Sequence, residues 1–158
     1  MKYPMVLKDG TWKRGHWRQM VLDGFKRHDV IGIPIHLHLH WVLGVFYPKD
    51  ISVELFDSSA DANRNIVLIN ILKEIFCIAY NYDGNMHQAS HRDINVEDVS
   101  DRVGRSKTQT NGVDCGVFIL MNMNAVANQL PVRDVVQSFM MGKRLQMATD
   151  LRVRLENQ

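Results

Sequence analysis

Two stretches rich in β-branched and aromatic residues, 30–47 and 51–56, constrain the fold of this chain more than any other feature. Such residues fit the pleated, half-buried surface of a sheet. We therefore predict two adjacent strands that are joined at Pro48-Lys49-Asp50. Asp57-Ser58-Ser59 supplies turn residues that end the second strand. Three apolar residues between Ile94 and Val99 predict a further short strand.

The remaining apolar segments have the spacing of helices. Apolar residues recur close to the helical period in 65–80, which predicts a packed amphipathic helix. The segment 115–128 predicts a mostly buried helix, and 135–155 predicts one or two helices with a basic outer face. A short helix is also predicted around 15–26. We therefore predict an α+β protein, in which a sheet containing the strands near His40 and at 51–56 packs against the helix that begins at Cys115.

Composition limits the number of domains and the classes of partner. A chain of 158 residues, 46% of them hydrophobic, can bury one good core, so we expect a single domain over residues 1–158. The formal net charge is only +2 and no polybasic tract is present, so nucleic acid is not the expected partner. No apolar run approaches the ~18 residues that span a bilayer. We expect an intracellular monomer, in the nucleus or cytoplasm, without membrane contact.

The chain has two cysteines, Cys77 and Cys115, which is too few for the usual disulfide framework of a secreted domain. Cys115 follows the polar turn Gln109-Thr110-Asn111-Gly112-Val113-Asp114, with Asp114 in a capping position. A thiol at a helix N-terminus is favoured as the thiolate by the macrodipole and by unpaired backbone N–H groups. Gly116 would let a substrate backbone come close. The alternative is a small buried cysteine that begins an ordinary core helix.

A nucleophilic cysteine needs a base, and the base needs an acceptor that fixes its tautomer. His40 and Asp57 lie near the ends of neighbouring predicted strands, where a hairpin-like pairing would bring them together. Gln109 could return its amide N–H to the same pocket and form an oxyanion hole with the backbone N–H of Cys115. Otherwise Gln109 is a loop residue that faces water.

His36, His38 and His40 alternate, which on a single strand would place all three on one face. Imidazoles so arranged can bind zinc, and Asp57 could add an oxygen ligand for a metal-assisted hydrolase. A strand-borne His-x-His is a loose pattern, however, and no second cluster of ligands follows. We favour His36 and His38 as residues at the rim of the site.

Four motifs in order resemble the ubiquitin-like-protease family, the SUMO-specific (sentrin-specific) cysteine peptidases. The motifs are Ile33-Pro34-Ile35, then His40-Trp41-Val42-Leu43-Gly44-Val45, then Leu55-Phe56-Asp57-Ser58, and the stretch from Gln109 to Phe118. The order His, Asp, Gln, Cys is similar to the circularly permuted papain-like fold of these proteases. The resemblance implies a central, mostly antiparallel sheet packed against the helix that carries the nucleophile.

The resemblance also implies a role for each matching residue. His40 would be the general base, Asp57 its orienting partner, Gln109 an oxyanion donor and Cys115 the nucleophile. Trp41 would line a narrow tunnel over the diglycine tail of the modifier, unless it is simply a core tryptophan with its N–H satisfied. The reaction would pass through a thioester and would need no metal or organic cofactor.

One element of the family's pattern has no match in this sequence. The family's catalytic domain usually begins with an aromatic-Leu-Asn/Asp-Asp segment that supplies the other wall of the tunnel, and the sequence therefore indicates a domain that lacks this N-terminal part. The function expected first is a peptidase and isopeptidase that cleaves after the diglycine of SUMO or a related modifier, free or conjugated. The alternatives are a catalytically weak or inactive modifier-binding module, and a viral, bacterial or mobile-element protease acting on ubiquitin or ordinary peptide bonds.

Overall fold

A computed structural model of the chain describes residues 16–59, 61–83, 93–104, 108–132, 135 and 137–156. Its elements follow one another as α1 (His16–Arg27), β1 (Ile31–Leu37), β2 (His40–Tyr47), β3 (Ser52–Phe56), α2 (Ala62–Asp83), β4 (Ser100–Val103), α3 (Cys115–Ala127) and α4 (Met140–Glu156). The predicted α+β class is confirmed. The helices predicted around 15–26, 65–80, 115–128 and 135–155 are also confirmed as α1 to α4, with short 3₁₀ turns between some elements.

The four strands form one sheet in the order β1-β2-β3-β4. The connections from β1 to β2 and from β2 to β3 are short, so these neighbours are antiparallel. Strand β4 runs parallel to β3, because Ser100 N donates to Ile51 O (3.0 Å) and Gly104 N donates to Leu55 O (2.6 Å), a register in which both residue numbers rise together. The sheet is therefore mostly antiparallel with one parallel edge.

Two strand predictions were wrong. Residues 30–47 form a hairpin rather than one strand, because the exposed pair His38 and Leu39 turns the chain and His38 adopts a φ of 48°. Histidine enters this left-handed region more readily than most residues, and a strand of eighteen residues would exceed the usual length. The strand predicted from Ile94 to Val99 begins only at Ser100. Residues 96–98 form a 3₁₀ turn, which Asn95 and Asp98 cap reciprocally.

The chain divides into two compact units, each with its own apolar cluster. The first contains the described residues of 1–33, 45–54 and 66–102, and the second those of 34–44, 55–65 and 103–158. In the first unit Phe25, Phe46 and Phe76 meet edge to face at centroid distances of 5.0–5.6 Å. In the second unit the core consists of Val117, Phe118, Ala125, Val135 and Met140.

Gly104 has a defined packing role in the second unit. A Cβ at this position would stand 2.2 Å from the ring of Phe56, so no side chain fits without displacing the ring. The close approach allows the 2.6 Å bond from Gly104 N to Leu55 O that ends the pairing with β3. None of the described helices combines the length and apolar character needed to cross a membrane.

Candidate active site

The structure brings His40 and Asp57 into direct contact within the second unit. His40 is the first residue of β2, and Asp57 follows the last residue of β3, so antiparallel pairing of the two strands places them side by side. His40 Nε2 lies 2.7 Å from Asp57 Oδ1. The side chains are 13% and 0% exposed, so the contact is largely screened from water. In such an environment an ion pair is stronger than at the surface.

Asp57 is held by four donors. Its Oδ1 accepts bonds from the N–H of Ser59 (2.8 Å) and the hydroxyl of Ser59 (3.0 Å) as well as from His40. Its Oδ2 accepts a bond of 2.5 Å from Arg64 Nη2. Burial alone would raise the pKa of the Asp57 carboxyl, but the bonds from Arg64, Ser59 and His40 outweigh burial and lower that pKa. The group is therefore a carboxylate at neutral pH.

The choice of ring nitrogen on His40 has a chemical consequence. Because an ionised Asp57 can only accept, the neutral imidazole carries its proton on Nε2 in this contact. Nδ1 is then the nitrogen with a lone pair. A neutral His40 fixed in this tautomer can act as a base through Nδ1, and Asp57 stabilises the imidazolium that forms.

Gln109 is anchored to the residue that follows Asp57. Gln109 N donates to Ser58 O (2.7 Å), and the hydroxyl of the buried Ser58 donates to Gln109 Oε1 (2.7 Å). Gln109 Nε2 donates to Asn111 O (2.6 Å), which uses one of the two amide N–H groups. The oxygen of the amide is thus fixed by Ser58, and the NH₂ end is directed into the loop that leads to Cys115.

Asp114 does not cap α3 as the sequence predicts. It occupies the N-cap position, but its side chain makes no capping bond. Its carboxylate instead accepts bonds from Asn111 Nδ2 (2.7 Å), Gln137 and Arg144. Burial would raise the pKa of Asp114, yet these bonds lower it. The Asp114 carboxylate is drawn away from the helix because three side-chain donors, one of them charged, outweigh a single backbone N–H.

Asn111 and Arg144 bind the backbone of the same loop. Asn111 Oδ1 accepts bonds from the N–H groups of Val113 and Asp114, each at 3.1 Å. Arg144 Nη2 donates to the carbonyl of Val113 at 2.5 Å. The loop that precedes Cys115 is therefore held by side chains of its own and by α4.

The two cysteines occupy different environments. Cys115 is the first residue of α3 and is 5% exposed, and a Cβ added to the adjacent Gly116 would meet no described atom within 4 Å. Cys77 lies buried within α2, where burial first and then the Asp98 carboxylate raise the pKa of its thiol. Of the two cysteines, only Cys115 stands at a helix N-terminus.

The three alternating histidines do not share one strand face, so that expectation was wrong. His38 belongs to the turn between β1 and β2, and His40 binds Asp57. The His36 ring packs on Trp41, with ring centroids 4.5 Å apart and an interplanar angle of 39°. Trp41 is partly buried rather than fully enclosed. Within the described ranges no group of three or more potential metal ligands is arranged to hold an ion.

The contacts of the described residues join His40 to Asp57 and Gln109 to Ser58, and they do not join the Cys115 sulfur to the His40 ring. The pairing of these last two side chains and the oxyanion role of Gln109 stay predictions. Sequence reasoning missed Arg64 and Ser58. A basic residue in the first turn of α2, where the helix macrodipole disfavours a cation, was the available signal for Arg64. Ser58 stood in the Leu55-Phe56-Asp57-Ser58 motif and in the turn after β3, but nothing in the sequence indicated its bond to Gln109.

The family model for the Ulp1 protease family, C-terminal catalytic domain, matches residues 2–157. The chain belongs to this family. The resemblance drawn from the four motifs is therefore confirmed, and with it the assignment to a family of cysteine-protease domains. A ubiquitin-like-specific protease 1B of Arabidopsis thaliana is similar, at 29% identity over 93 residues, which is 58% of this chain and 25% of that protein.

Solved structures of the family have a similar fold. The catalytic domain of the Ulp1-like SUMO protease of Chaetomium thermophilum matches with a TM-score of 0.58 and 25% identity, over 78% of this chain and 44% of that one. The SUMO protease Ulp1 with its catalytic cysteine oxidised to a sulfenic acid matches with a TM-score of 0.61 and 22% identity, over 82% and 58%. The chain thus spans about half the length of the solved domains it matches.

Proposed function

We propose that this chain is a cysteine peptidase and isopeptidase that cleaves after the C-terminal diglycine of SUMO or a related ubiquitin-like modifier. In this proposal residues 1–158 act as one catalytic domain. The observation that carries it is the 2.7 Å contact between His40 Nε2 and Asp57 Oδ1, in a family whose solved member Ulp1 has a catalytic cysteine. That contact leaves His40 Nδ1 for a thiol, and Cys115 begins α3 in the same compact unit.

The chemistry begins with proton transfer from the Cys115 thiol to His40 Nδ1. The thiolate attacks the carbonyl carbon of the second glycine of the diglycine, and the carbonyl π electrons move to oxygen. The backbone N–H of Cys115 and the second amide N–H of Gln109 donate to that oxyanion. When the tetrahedral intermediate collapses, the lysine amine leaves with the proton from His40, and a thioester on Cys115 remains.

The second half of the reaction regenerates the thiol. His40 Nδ1 takes a proton from water while the water oxygen attacks the thioester carbonyl. The thiolate then leaves and recovers its proton from His40, and the modifier departs with a free carboxylate. Asp57 stays ionised throughout, because the bonds from Arg64, Ser59 and His40 lower its pKa, and it stabilises the imidazolium in both halves.

A ubiquitin-like modifier is the proposed substrate because a Ulp1 protease domain of this fold has been solved in complex with Smt3, the yeast ortholog of SUMO. The partly exposed Trp41 follows His40 directly, and its ring packs against that of His36 at a tilt of 39°. We assign to Trp41 one wall of the passage for the diglycine tail. Two glycines without Cβ atoms would suit a narrow passage beside an indole ring.

The test uses SUMO, ubiquitin and other modifiers that carry a thiol-reactive C-terminal warhead. The purified protein is incubated with each, and the labelled cysteine is identified by mass spectrometry. We expect one modifier class to form an adduct on Cys115. Cys115→Ser should abolish the adduct, whereas Cys77→Ser should leave it unchanged, because Cys77 lies inside α2 rather than at a helix N-terminus and burial raises the pKa of its thiol.

Other outcomes would change the proposal in different ways. Equal labelling of Cys77 and Cys115 would overturn the assignment of the nucleophile. If no modifier forms an adduct while iodoacetamide still reacts quickly at Cys115, the proposal of an activated Cys115 thiol would stand. The proposal that the substrate is a ubiquitin-like modifier would be rejected. Slow alkylation of Cys115 at the rate of an ordinary thiol would reject the catalytic site itself.

A further inference from the structure

Arg64 binds the side of Asp57 that His40 does not occupy. Its Nη2 donates to Asp57 Oδ2 at 2.5 Å, while His40 takes Oδ1. The same nitrogen contacts the hydroxyl of Ser59, which also donates to Oδ1. The two oxygens of the buried Asp57 carboxylate are thus divided between an arginine and a histidine. A substitution of Arg64 therefore affects His40 through the Asp57 carboxylate that both side chains bind.

The position of Arg64 is unfavourable for the helix that carries it. Arg64 is the third residue of α2, and its backbone N–H donates to Asp61 Oδ1 (3.1 Å). Asp61 is thus the N-cap residue of this helix. A positive charge in the first turn opposes the helix macrodipole. In addition, Arg64 Nε is buried without a hydrogen-bond partner among the described residues, which carries a desolvation cost. The local gain for the helix is limited to the ion pair of Arg64 with the half-exposed Asp61, at 3.9 Å.

We infer that Arg64 is a positioning residue for the catalytic pair: it fixes the Asp57 carboxylate with Oδ1 toward His40, and its permanent charge limits how strongly Asp57 holds the imidazolium. The inference rests on the proposed function, because it assigns to His40 the role of base. It goes beyond the three-residue arrangement of Cys, His and Asp by adding a fourth group that sets the basicity of the histidine.

The direction of the effect follows from the charges around His40. Asp57 alone would favour the imidazolium, and Arg64 beyond it offsets part of that negative charge. Asp61 Oδ2 lies 3.9 Å from Arg64 Nη1 and in turn offsets part of the arginine's charge. The other titratable groups whose charge can act on the His40 imidazolium are His36 and His38 on the same hairpin and the proposed partner Cys115. Arginine stays protonated throughout the working range of pH, so its contribution is constant.

The experiment is an NMR titration of the His40 ring in the full chain. Arg64→Gln removes the charge but keeps a donor for Oδ2, and we expect the midpoint of the His40 titration to rise by about one unit. Arg64→Lys keeps the charge and should leave the midpoint close to that of the unmodified chain. The acid limb of the pH–rate profile for modifier hydrolysis, where protonation of His40 removes the base, should move in the same direction by the same amount.

Two control variants make the result specific. Arg102→Gln removes an arginine from another buried carboxylate, Glu54, and should not move the midpoint. Asp61→Asn keeps a good N-cap but removes the charge beside Arg64, so it should lower the midpoint by a smaller amount. Asp61→Asn also tests the inference independently if Arg64→Gln fails to fold.

The inference is wrong if Arg64→Gln and Arg64→Lys move the midpoint equally, or if neither moves it, because Arg64 would then have a structural role alone. An unchanged midpoint in Asp61→Asn would contradict it as well. These outcomes are distinct from a failure of the proposed function. That failure would appear as absent modifier adducts on Cys115, whereas the His40 titration needs no substrate.

Discussion

Glu54 and Asp57, three residues apart in the sequence, are two buried carboxylates with similar partners and different consequences. In the first unit Glu54 Oε2 accepts bonds from the Tyr47 hydroxyl and from Arg102 Nη2, both at 2.9 Å. Asp57, in the second unit, is bound by His40 and by Arg64. Each carboxylate therefore has one arginine and one titratable ring.

The difference lies in what the ring can do at neutral pH. Burial first, and then the bond and charge of Glu54, raise the pKa of Tyr47 to about 12, so the phenol stays a fixed donor. An imidazole both binds and releases a proton in the physiological range. A buried carboxylate that binds an arginine is therefore not by itself a sign of catalysis. What distinguishes the two clusters is whether the ring bound to the carboxylate can exchange a proton near neutral pH.

The largest contrast should appear in turnover. Asp57→Asn leaves His40 without the charge that stabilises its imidazolium and can reverse the tautomer, so we expect modifier hydrolysis to fall by about 10²–10⁴-fold. Glu54→Gln should leave turnover unchanged, because Glu54 binds only Tyr47 and Arg102 in the described structure. Steady-state rates on a fluorogenic modifier substrate measure both. Equal losses would remove the distinction between the two clusters.

A smaller contrast is expected in stability. Arg64→Met removes the donor to a carboxylate that is 0% exposed, and should lower the free energy of unfolding by about 1–3 kcal/mol. Arg102→Met removes an arginine side chain that is 65% exposed, so about 0–1 kcal/mol should be lost. Urea unfolding of the two variants at neutral pH makes the comparison. A larger loss in Arg102→Met would show that exposure does not govern the two pairs.

The smallest effect concerns Tyr47 and alkaline pH. Because the folded pKa of about 12 exceeds the ordinary value of 10.0, the stabilisation is complete below pH 10.0 and is lost as pH rises through about 12. Tyr47→Phe should lower the free energy of unfolding by about 1 kcal/mol at neutral pH and should lack that alkaline decline. Urea unfolding from pH 9 to 12 gives both values, and an identical pH dependence in the variant would contradict the assignment.

Much of the fold could be predicted because its signals are local. The helical period predicts α2, and the polar turn before an apolar segment predicts α3 with Cys115 at its start. The hairpin at His38 was missed because both flanking segments have strand composition and neither residue of the turn is a glycine or proline. The role of Asp114 was missed because its three partners lie in the preceding loop, the 3₁₀ turn at Gln137 and α4.

By itself the sequence determined the positions of most helices, the strand-forming segments, and the ordered His40, Asp57, Gln109 and Cys115 motifs that identify the family. Tertiary structure alone decided which atoms meet. The contact of His40 with Asp57 joins residues 17 apart, and that of Ser58 with Gln109 joins residues 51 apart. Propensity and capping act over a few neighbouring residues, whereas the sharing of Asp57 between His40 and Arg64 depends on strand pairing and on where α2 begins.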